Sequence, residues 1–368
     1  MIRKIYLKHL YERVKNEGVF SLVKYAKRYV LTFLSFSVNK SFAGPIQGTL
    51  CLTYNCNLLC EMCDLPQRHQ NYNKDDSLVN LNLKEWTSII DDFAKIGTSA
   101  IAISGGEPFL HKDLFKIIDH IKKRDMVAQI TSNGWFINEE VAQRLVDSKV
   151  DAISISIDGS TEEIHDKIRG VKGSFLKAIN ALETLRKVRD LNNSSMSISV
   201  STVLGKSNYK SIDDVIGVSK DAGADRIGFM PVHTISPLVD EEKLRLDDEE
   251  VEGVFSSIKK LREIAKKDDF IESSDRYLRL FNNFFKKEPL PMKCMAGFTT
   301  LVIDCYGRIF PCFSYYEMEK SWGNIKSSGG LLSFWKSQEI APLRSDTKKC
   351  RDCYWNCQIE TNLLYKLK

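Results

Sequence analysis

The 368-residue chain has no run of apolar residues approaching the ~18 that a membrane-spanning helix needs. It also has little net charge. Its 53 basic and 48 acidic side chains leave +5, too mild a balance to argue for nucleic acid as a partner. Its ten cysteines are not spread like the disulfide framework of a small secreted protein. They fall into two groups, as metal ligands do, which points to a reducing compartment and a cytoplasmic location. The apolar residues 29–38 follow basic ones, as in a signal peptide. The preceding basic stretch is far too long for one, however, and export would oxidise the thiols. The hydrophobic share of 43% is ordinary for a folded chain, and the length suits one large domain with a smaller one.

The first cysteine group is one ligand short. Cys56, Cys60 and Cys63 stand in a C-x3-C-x2-C run, close enough to wrap one soft metal centre. A cubane iron–sulfur cluster wants four thiolates, so three would leave one iron open. A structural zinc would close its shell with a fourth ligand, for which His69 is the nearby candidate. An iron with an open position binds something and does chemistry on it. The plainer alternative is three small buried residues.

Residues 46–237 repeat one theme of short strand, loop and amphipathic helix. Strands are expected at 49–54, 100–104, 127–132, 152–158, 197–203 and 226–231, with helices at 84–95, 113–124, 139–147, 174–189 and 211–221. Ser174 suits a helix N-cap, and Gly97 and Gly223 suit helix stops. Such alternation implies a parallel sheet, and six units imply a partial (β/α)6 TIM-like barrel of the α/β class. Along 152–158 the isoleucines alternate with Ser154, Ser156 and Asp158, and Ser197, Ser199 and Ser201 repeat the pattern. A closed barrel fills its centre with branched apolar layers. Small polar rows imply a cavity for a large polar ligand. Ligands in such sheets sit at the carboxyl ends of the strands. The cysteine loop follows the first strand, Ser104-Gly105-Gly106-Glu107-Pro108 the second, and Ser132-Asn133-Gly134 the third; Asp158-Gly159 ends the fourth.

With these motifs the sequence resembles the radical SAM superfamily over roughly residues 47–232. The resemblance implies that Cys56, Cys60 and Cys63 ligate a [4Fe–4S] cluster whose fourth iron takes S-adenosylmethionine. Ser104, Gly105, Gly106, Glu107 and Pro108 would then face the methionine ammonium. Asp158 and Ser156, with Ser132 and Asn133 as weaker candidates, would bond the ribose, and Arg169 would pair with the methionine carboxylate. Met62 stands where the family usually has an aromatic near the adenine. An external electron donor such as flavodoxin or ferredoxin is implied.

The later cysteines resemble a SPASM or shorter twitch domain, which carries auxiliary clusters. Cys294, Gly307 and Cys312 surround an expected β-hairpin, and Cys350, Cys353 and Cys357 follow. One auxiliary [4Fe–4S] cluster is expected on Cys294, Cys312, Cys350 and Cys353, with Cys357 able to replace one of the last pair. A zinc ribbon is the structural alternative. Cys51 is a candidate hydrogen donor on the inward face of the first strand, and Arg226 and His233 are candidate substrate contacts. Residues 238–290 read as a helical connector and 291–368 as the cluster domain.

Residues 1–45 hold nine basic and two acidic side chains, +7 in all. Val19, Leu22, Val23, Ala26, Val30, Phe33 and Leu34 form a helical stripe expected to pack on the core, with peripheral membrane contact as the alternative. The expected activity is radical hydrogen abstraction from an unactivated carbon of a peptide, sugar or lipid, giving a dehydrogenation or crosslink. The alternatives are a redox-neutral epimerase, a lipid-modifying enzyme at the membrane, or a non-enzymatic electron carrier or zinc-binding module.

Overall fold

The structure, a computed structural model, describes residues 20–75 and 78–365. Six parallel strands form the barrel wall: β1 (Gln47–Cys51), β2 (Ala100–Ser104), β3 (Val127–Ser132), β4 (Ala152–Ser156), β5 (Ser197–Leu204) and β6 (Arg226–Pro231). Parallel neighbours need crossovers, and helices supply them. Helix α1 (Phe20–Val38) precedes the barrel, and α2 (Leu65–Tyr72) and α3 (Leu83–Lys95) join β1 to β2. They are followed by α4 (Leu114–Lys123), α5 (Glu139–Asp147), α6 (Glu162–Arg169), α7 (Ser174–Leu191) and α8 (Ile212–Asp221). The amphipathic periods bury one stripe of each helix against the sheet. In α3, Trp86, Ile89, Ile90 and Phe93 are the buried stripe, and an Asn82–Glu85 capping box starts the helix.

The barrel is open, as six units imply. Ile153, Ile155 and Ile157 are fully buried in the main core, while Ser154 and Ser156 face a cavity. A separate small cluster of Ala100, Val127 and Ala152 is buried at the amino end of the strands and closes the floor. Beyond β6, α9 (Glu241–Leu244), α10 (Asp248–Lys267) and α11 (Asp275–Phe285) follow. This stretch is more than a connector: Ile271 bridges to Ile227, so residues 270–273 lie along β6, and Glu272 and Ser273 wall the cavity.

The expected hairpin is β7 (Thr300–Asp304) with β8 (Arg308–Phe310), turning at Gly307 with φ 83°. It does not stand apart. β7 pairs in parallel with β1, giving a nine-stranded sheet in the order β6-β5-β4-β3-β2-β1-β7-β8-β9, with β9 at Gly323–Asn324. The chain ends through α12 (Phe313–Glu317), α13 (Leu331–Lys336), α14 (Ile340–Lys349) and α15 (Asn356–Leu364).

The amino-terminal arm packs on the core, through Phe36 in a cluster with Met295, Phe298 and Tyr365, but not by the expected stripe. Residues 1–19, including Val19 of the stripe, lie outside the described residues. In α1 the buried side chains are Thr32, Ser35 and Phe36, and Val23, Val30, Phe33 and Leu34 are exposed.

Asp304 joins the hairpin to the barrel. Its buried carboxylate accepts from Tyr54 Oη at 3.0 Å, Arg308 Nε at 2.7 Å, and the backbone N–H groups of Tyr306 and Arg308 at 3.0 and 2.8 Å. Asp304→Ala leaves Arg308, already largely buried, with only the exposed Glu319 at 3.6 Å as a counter-charge. The expected loss is about 3 kcal/mol, read from the urea midpoint of the apoprotein; a loss within error of zero would show that the network contributes nothing.

Candidate active site

The hydrogen-bond ladder between β1 and β2 continues beyond both strands into the cysteine loop. Leu52 N–H donates to Ser104 O at 3.1 Å, Gly106 N–H to Thr53 O at 2.7 Å, and Glu107 N–H to Asn55 O at 2.9 Å. Gly105 has φ 115°, and a Cβ there would stand 2.5 Å from Thr53 O; at Gly106 it would stand 2.1 Å from Asn55 O. The glycines therefore serve the close approach of the cysteine loop's own backbone.

Two other elements brace the same loop. The Glu107 side chain is buried and accepts from Ser132 Oγ and Asn133 N–H at 2.9 Å each and from Phe109 N–H at 3.2 Å. Burial raises its carboxyl to about 7 against the pull of these donors. Asn133 Nδ2 donates to Asn57 Oδ1 at 2.8 Å and lies 4.0 Å from Cys56 Sγ. On the far side, Leu59 and Glu61 N–H donate to the carbonyls of Arg169 and Ile168 at 3.1 and 2.9 Å. Helix α6 ends there on Gly170 at φ 72°, where a Cβ would meet Leu59 O at 2.3 Å.

Arg169 is not the exposed helix end that its position suggests. Its guanidinium lies 2.6 Å from Asp158 Oδ2 and donates to Cys60 Sγ at 3.7 Å. The Asp158 carboxylate and the Cys60 sulfur hold the buried guanidinium firmly cationic. Asp158 is fully buried, and its second oxygen accepts from Val203 N–H at 2.7 Å. Its carboxylate is thus spent on positioning Arg169 and β5, and it does not line the cavity. This corrects the expected ribose contact.

Inside these braces is a chamber of 320 Å³ at the carboxyl ends of the strands. Cys56, Cys60, Met62, Cys63, Ser104, Gly105, Gly106, Glu107, Ser132, Asn133, Ser156 and Arg169 all line it. Pro108 instead opens a buried 3-10 turn, and Arg226 begins β6 away from the mouth. Cys51 does not line the chamber either. It is fully buried in the core, and burial, with Asp304 nearby, pushes its thiol far up. Tyr316, which does line the chamber, stands over it.

The structure gathers several residues that the motifs do not reveal. Gln47 and Gln129 join Ser154, expected from the alternating row, in presenting buried polar atoms without hydrogen-bond partners to the chamber. Residues from later in the chain complete the wall: Glu272, Phe313, Glu317, Trp355, Cys357 and Glu360. Burial raises the Glu317 carboxyl to about 8. His233, a candidate contact, also lines the chamber and stacks on Trp355 with ring centroids 5.0 Å apart. The period-2 pattern of Gln47 with Thr49 and of Gln129 with Thr131 was the available signal for the first two.

These residues fit an iron–sulfur cluster. Burial pushes all three loop thiols up, Cys56 to about 11, so thiolates there need a cation to form. Among the described residues no three His, Cys, Asp or Glu side chains stand close enough to hold a single metal ion. A cubane gives each thiolate an iron of its own, so its ligands stand further apart than those of one ion. His69 does not complete a zinc site, since its Nε2 lies 3.2 Å from Asn73 Nδ2, outside the chamber.

The second group separates into four thiols and one. Cys294 and Cys312 pack together with Cys350 beside them, and a thiolate at Cys353 or Cys350 would disfavour one at either of the first two. Cys357 feels only Cys353 among the thiols and faces the chamber.

His233 yields a test of the chamber's back wall. Its Nε2 accepts from Tyr354 N–H at 3.0 Å, and burial lowers its pKa from 6.5 to about 3. The unfolded imidazole takes up a proton that the folded one refuses, so this contribution is present above 6.5 and is lost as pH falls towards 3. Between pH 6.5 and about 5 the slope of about 1.4 kcal/mol per unit amounts to about 2 kcal/mol. Urea unfolding at the two pH values is expected to show His233→Gln losing about 2 kcal/mol less on acidification than the wild type. An unchanged difference would place a proton on His233 in the fold.

The sequence matches the radical SAM superfamily over residues 50–217 and the SPASM iron–sulfur cluster-binding domain over residues 294–354. It is similar to the AdoMet-dependent heme synthase of Oleidesulfovibrio alaskensis, 24% identical over 83% of this chain and 79% of that one. It is also similar to the mycofactocin maturase MftC of Mycobacterium ulcerans, 29% identical over 82% of this chain and 76% of that one. Among solved structures, Streptococcus suis SuiB bound to the precursor peptide SuiA shares the fold, with TM-score 0.64 and 16% identity over 89% of this chain and 72% of that chain.

Proposed function

We propose that this chain, a member of the radical SAM superfamily with a SPASM iron–sulfur domain behind its barrel, is an enzyme that modifies a peptide at an unactivated carbon held in the chamber. One observation carries the reading: the braced cysteine loop forms one wall of the chamber, and the segment that follows Cys353 forms the opposite wall. The cofactors are [4Fe–4S] clusters and S-adenosylmethionine. Cys56, Cys60 and Cys63 would hold the first cluster, and Cys294, Cys312, Cys350 and Cys353 one auxiliary cluster. Bound there, the first cluster would supply the electron for reductive cleavage of S-adenosylmethionine and hydrogen-atom abstraction from the substrate, and the auxiliary cluster would supply an electron acceptor.

The protein's own residues do the positioning. Arg169, held cationic by Asp158, sets a positive charge beside Cys60. Ser104 and the Gly105–Gly106 edge would face the methionine end of S-adenosylmethionine, and Ser156 and Met62, which line the same chamber, its nucleoside.

The relatives include both a heme synthase and a peptide maturase, and the chamber's chemistry favours the second. Glu272 and Glu360 place carboxylates on the substrate side, which opposes a ligand that itself bears carboxylates, while the Glu317 carboxyl, raised by burial, is a hydrogen-bond donor there. Peptide amides match the unpartnered amide and hydroxyl atoms of Gln47, Gln129 and Ser154. The higher identity to mycofactocin maturase points the same way.

A second reading, redox-neutral epimerisation, is favoured by one observation: Cys357 faces the chamber apart from the four grouped thiols. Its S–H would break as a C–H forms on the substrate radical, leaving a sulfur radical for the external reductant to restore.

Anaerobic reconstitution with iron and sulfide tests the proposal. The wild type should bind about eight irons and the Cys56/Cys60/Cys63→Ala variant about four. With dithionite and S-adenosylmethionine, 5′-deoxyadenosine should form only in the wild type. A variant that still makes 5′-deoxyadenosine would sink the assignment of these ligands. With a peptide substrate in D2O, oxidation or crosslinking predicts no solvent deuterium in the product and little effect of Cys357→Ala on 5′-deoxyadenosine. Epimerisation predicts one deuterium at the new C–H, lost in that variant.

A further inference from the structure

Helix α1 is attached to the molecule by the wrong face for a core-packing helix. Its buried residues are Thr32, Ser35 and Phe36. Phe36 meets Phe298 edge-on at 5.4 Å, Arg28 donates to Pro45 O at 2.7 Å and to Ser99 Oγ, and Asn39 donates to Ala341 O at 2.7 Å. At 100° per residue, Val23, Ala26, Val30, Phe33, Leu34 and Val38 fall on the opposite arc. Val23, Val30, Phe33, Leu34 and Val38, with Phe42 just beyond, are each 41–60% exposed. Soluble surfaces rarely carry so continuous an apolar strip without use for it.

Charge identifies the occupant. Lys27 and Lys40 are exposed at the rim of the strip. A cavity of 450 Å³ beside α1 is lined by Lys27, Arg28, Arg124 and Asp125; Arg124 is paired with Asp91 at 2.6 Å and Arg28 is spent on Pro45 and Ser99, so Lys27 is the exposed cation there. Residues 1–45 carry +7 against +5 for the whole chain. Apolar side chains rimmed by cations match the interface of an anionic bilayer, where the apolar face enters the acyl boundary and lysines meet headgroups. Among the described residues no helix is long and apolar enough to cross a membrane, so α1 would lie on the surface.

We infer that α1 docks this protein peripherally on an anionic membrane through Val23, Val30, Phe33, Leu34 and Val38. The docking is separate from the chemistry. Pro45, Ser99 and Phe298, to which α1 is fastened, lie just before β1, β2 and β7, at the amino ends of the strands. The cysteine loop opens at the carboxyl ends. The bilayer therefore holds the enzyme by its floor and leaves the mouth free for a soluble substrate.

The test is flotation of the full reconstituted chain with vesicles of phosphatidylcholine alone or in equal parts with phosphatidylglycerol. Binding is expected to the anionic vesicles and to weaken as salt rises. Val30→Ser with Phe33→Ser and Leu34→Ser should lower partitioning on the order of a hundredfold. These side chains are exposed, so melting temperature and iron content should not change. Lys27→Glu should weaken only the anionic preference. Failure to float with either vesicle, or a triple variant that floats like the wild type, would overturn the inference. So would a stable dimer in lipid-free light scattering that the triple substitution dissolves, since a second copy would then cover the strip.

Discussion

Burying a carboxylate is costly unless donors surround it, and the mouth of this barrel is organised around three buried ones. Glu107 draws its donors from the β2 and β3 loops, Asp158 from α6 and β5, and Asp304 from β1's continuation and the β7–β8 turn. Each charge is satisfied only when two separate segments meet it. The loops that carry the cysteines are therefore fixed by polar contacts at their backs, and their fronts are free to remain hollow. A barrel filled with branched apolar side chains needs no such arrangement. This one replaces the central filling with ties around its rim.

The polarity of the chamber follows from the same division. Isoleucines on the outer faces of the strands make the core with the helices, and Ala100, Val127 and Ala152 seal the floor. Between floor and mouth the wall is serine, threonine and glutamine, with carboxylates arriving from residue 272 onward. Buried polar atoms with no protein partner are rare in finished folds because each costs free energy. Gln47 Oε1, Gln129 Nε2 and Ser154 Oγ are such atoms, and they share one cavity. Their clustering is what a site awaiting amides or water would show.

Much of the barrel was legible because alternation and helix periodicity are local. β2, β3 and β6 stand where the alternating pattern put them, and α5 matches its expected bounds. Ser174 is less simple: the N-cap is Gly173 at φ 84°, and the Ser174 hydroxyl donates to Asp166 at 2.7 Å. The convergence of four loops at one mouth was legible too, since strand ends fix it. Long-range pairing was not. Nothing near Asp158 announces that Arg169 will consume its carboxylate, and nothing near Cys51 announces Tyr316. The face of α1 was misread for a physical reason: an apolar stripe ordinarily implies a core, and only the fold shows that the face carrying Thr32, Ser35 and Phe36 is the one held.

The pairing of β7 with β1 explains how residues about 250 positions apart come to share a site. A hairpin tethered only by its connectors would wander relative to the barrel. In register with β1, Cys51 stands opposite Asp304, and the network of Asp304 with Tyr54 and Arg308 locks that register beside the cysteine loop. Cys312 follows β8 directly, so the second cysteine group inherits its position from the same sheet. Trp355 then stacks on His233 beyond the end of β6, fastening the far wall to the opposite edge of the barrel. The distance between the two thiol groups is thus set by the sheet and closed by one aromatic stack. On the proposed function, a substrate held between two redox centres would need that separation to be fixed before it arrives.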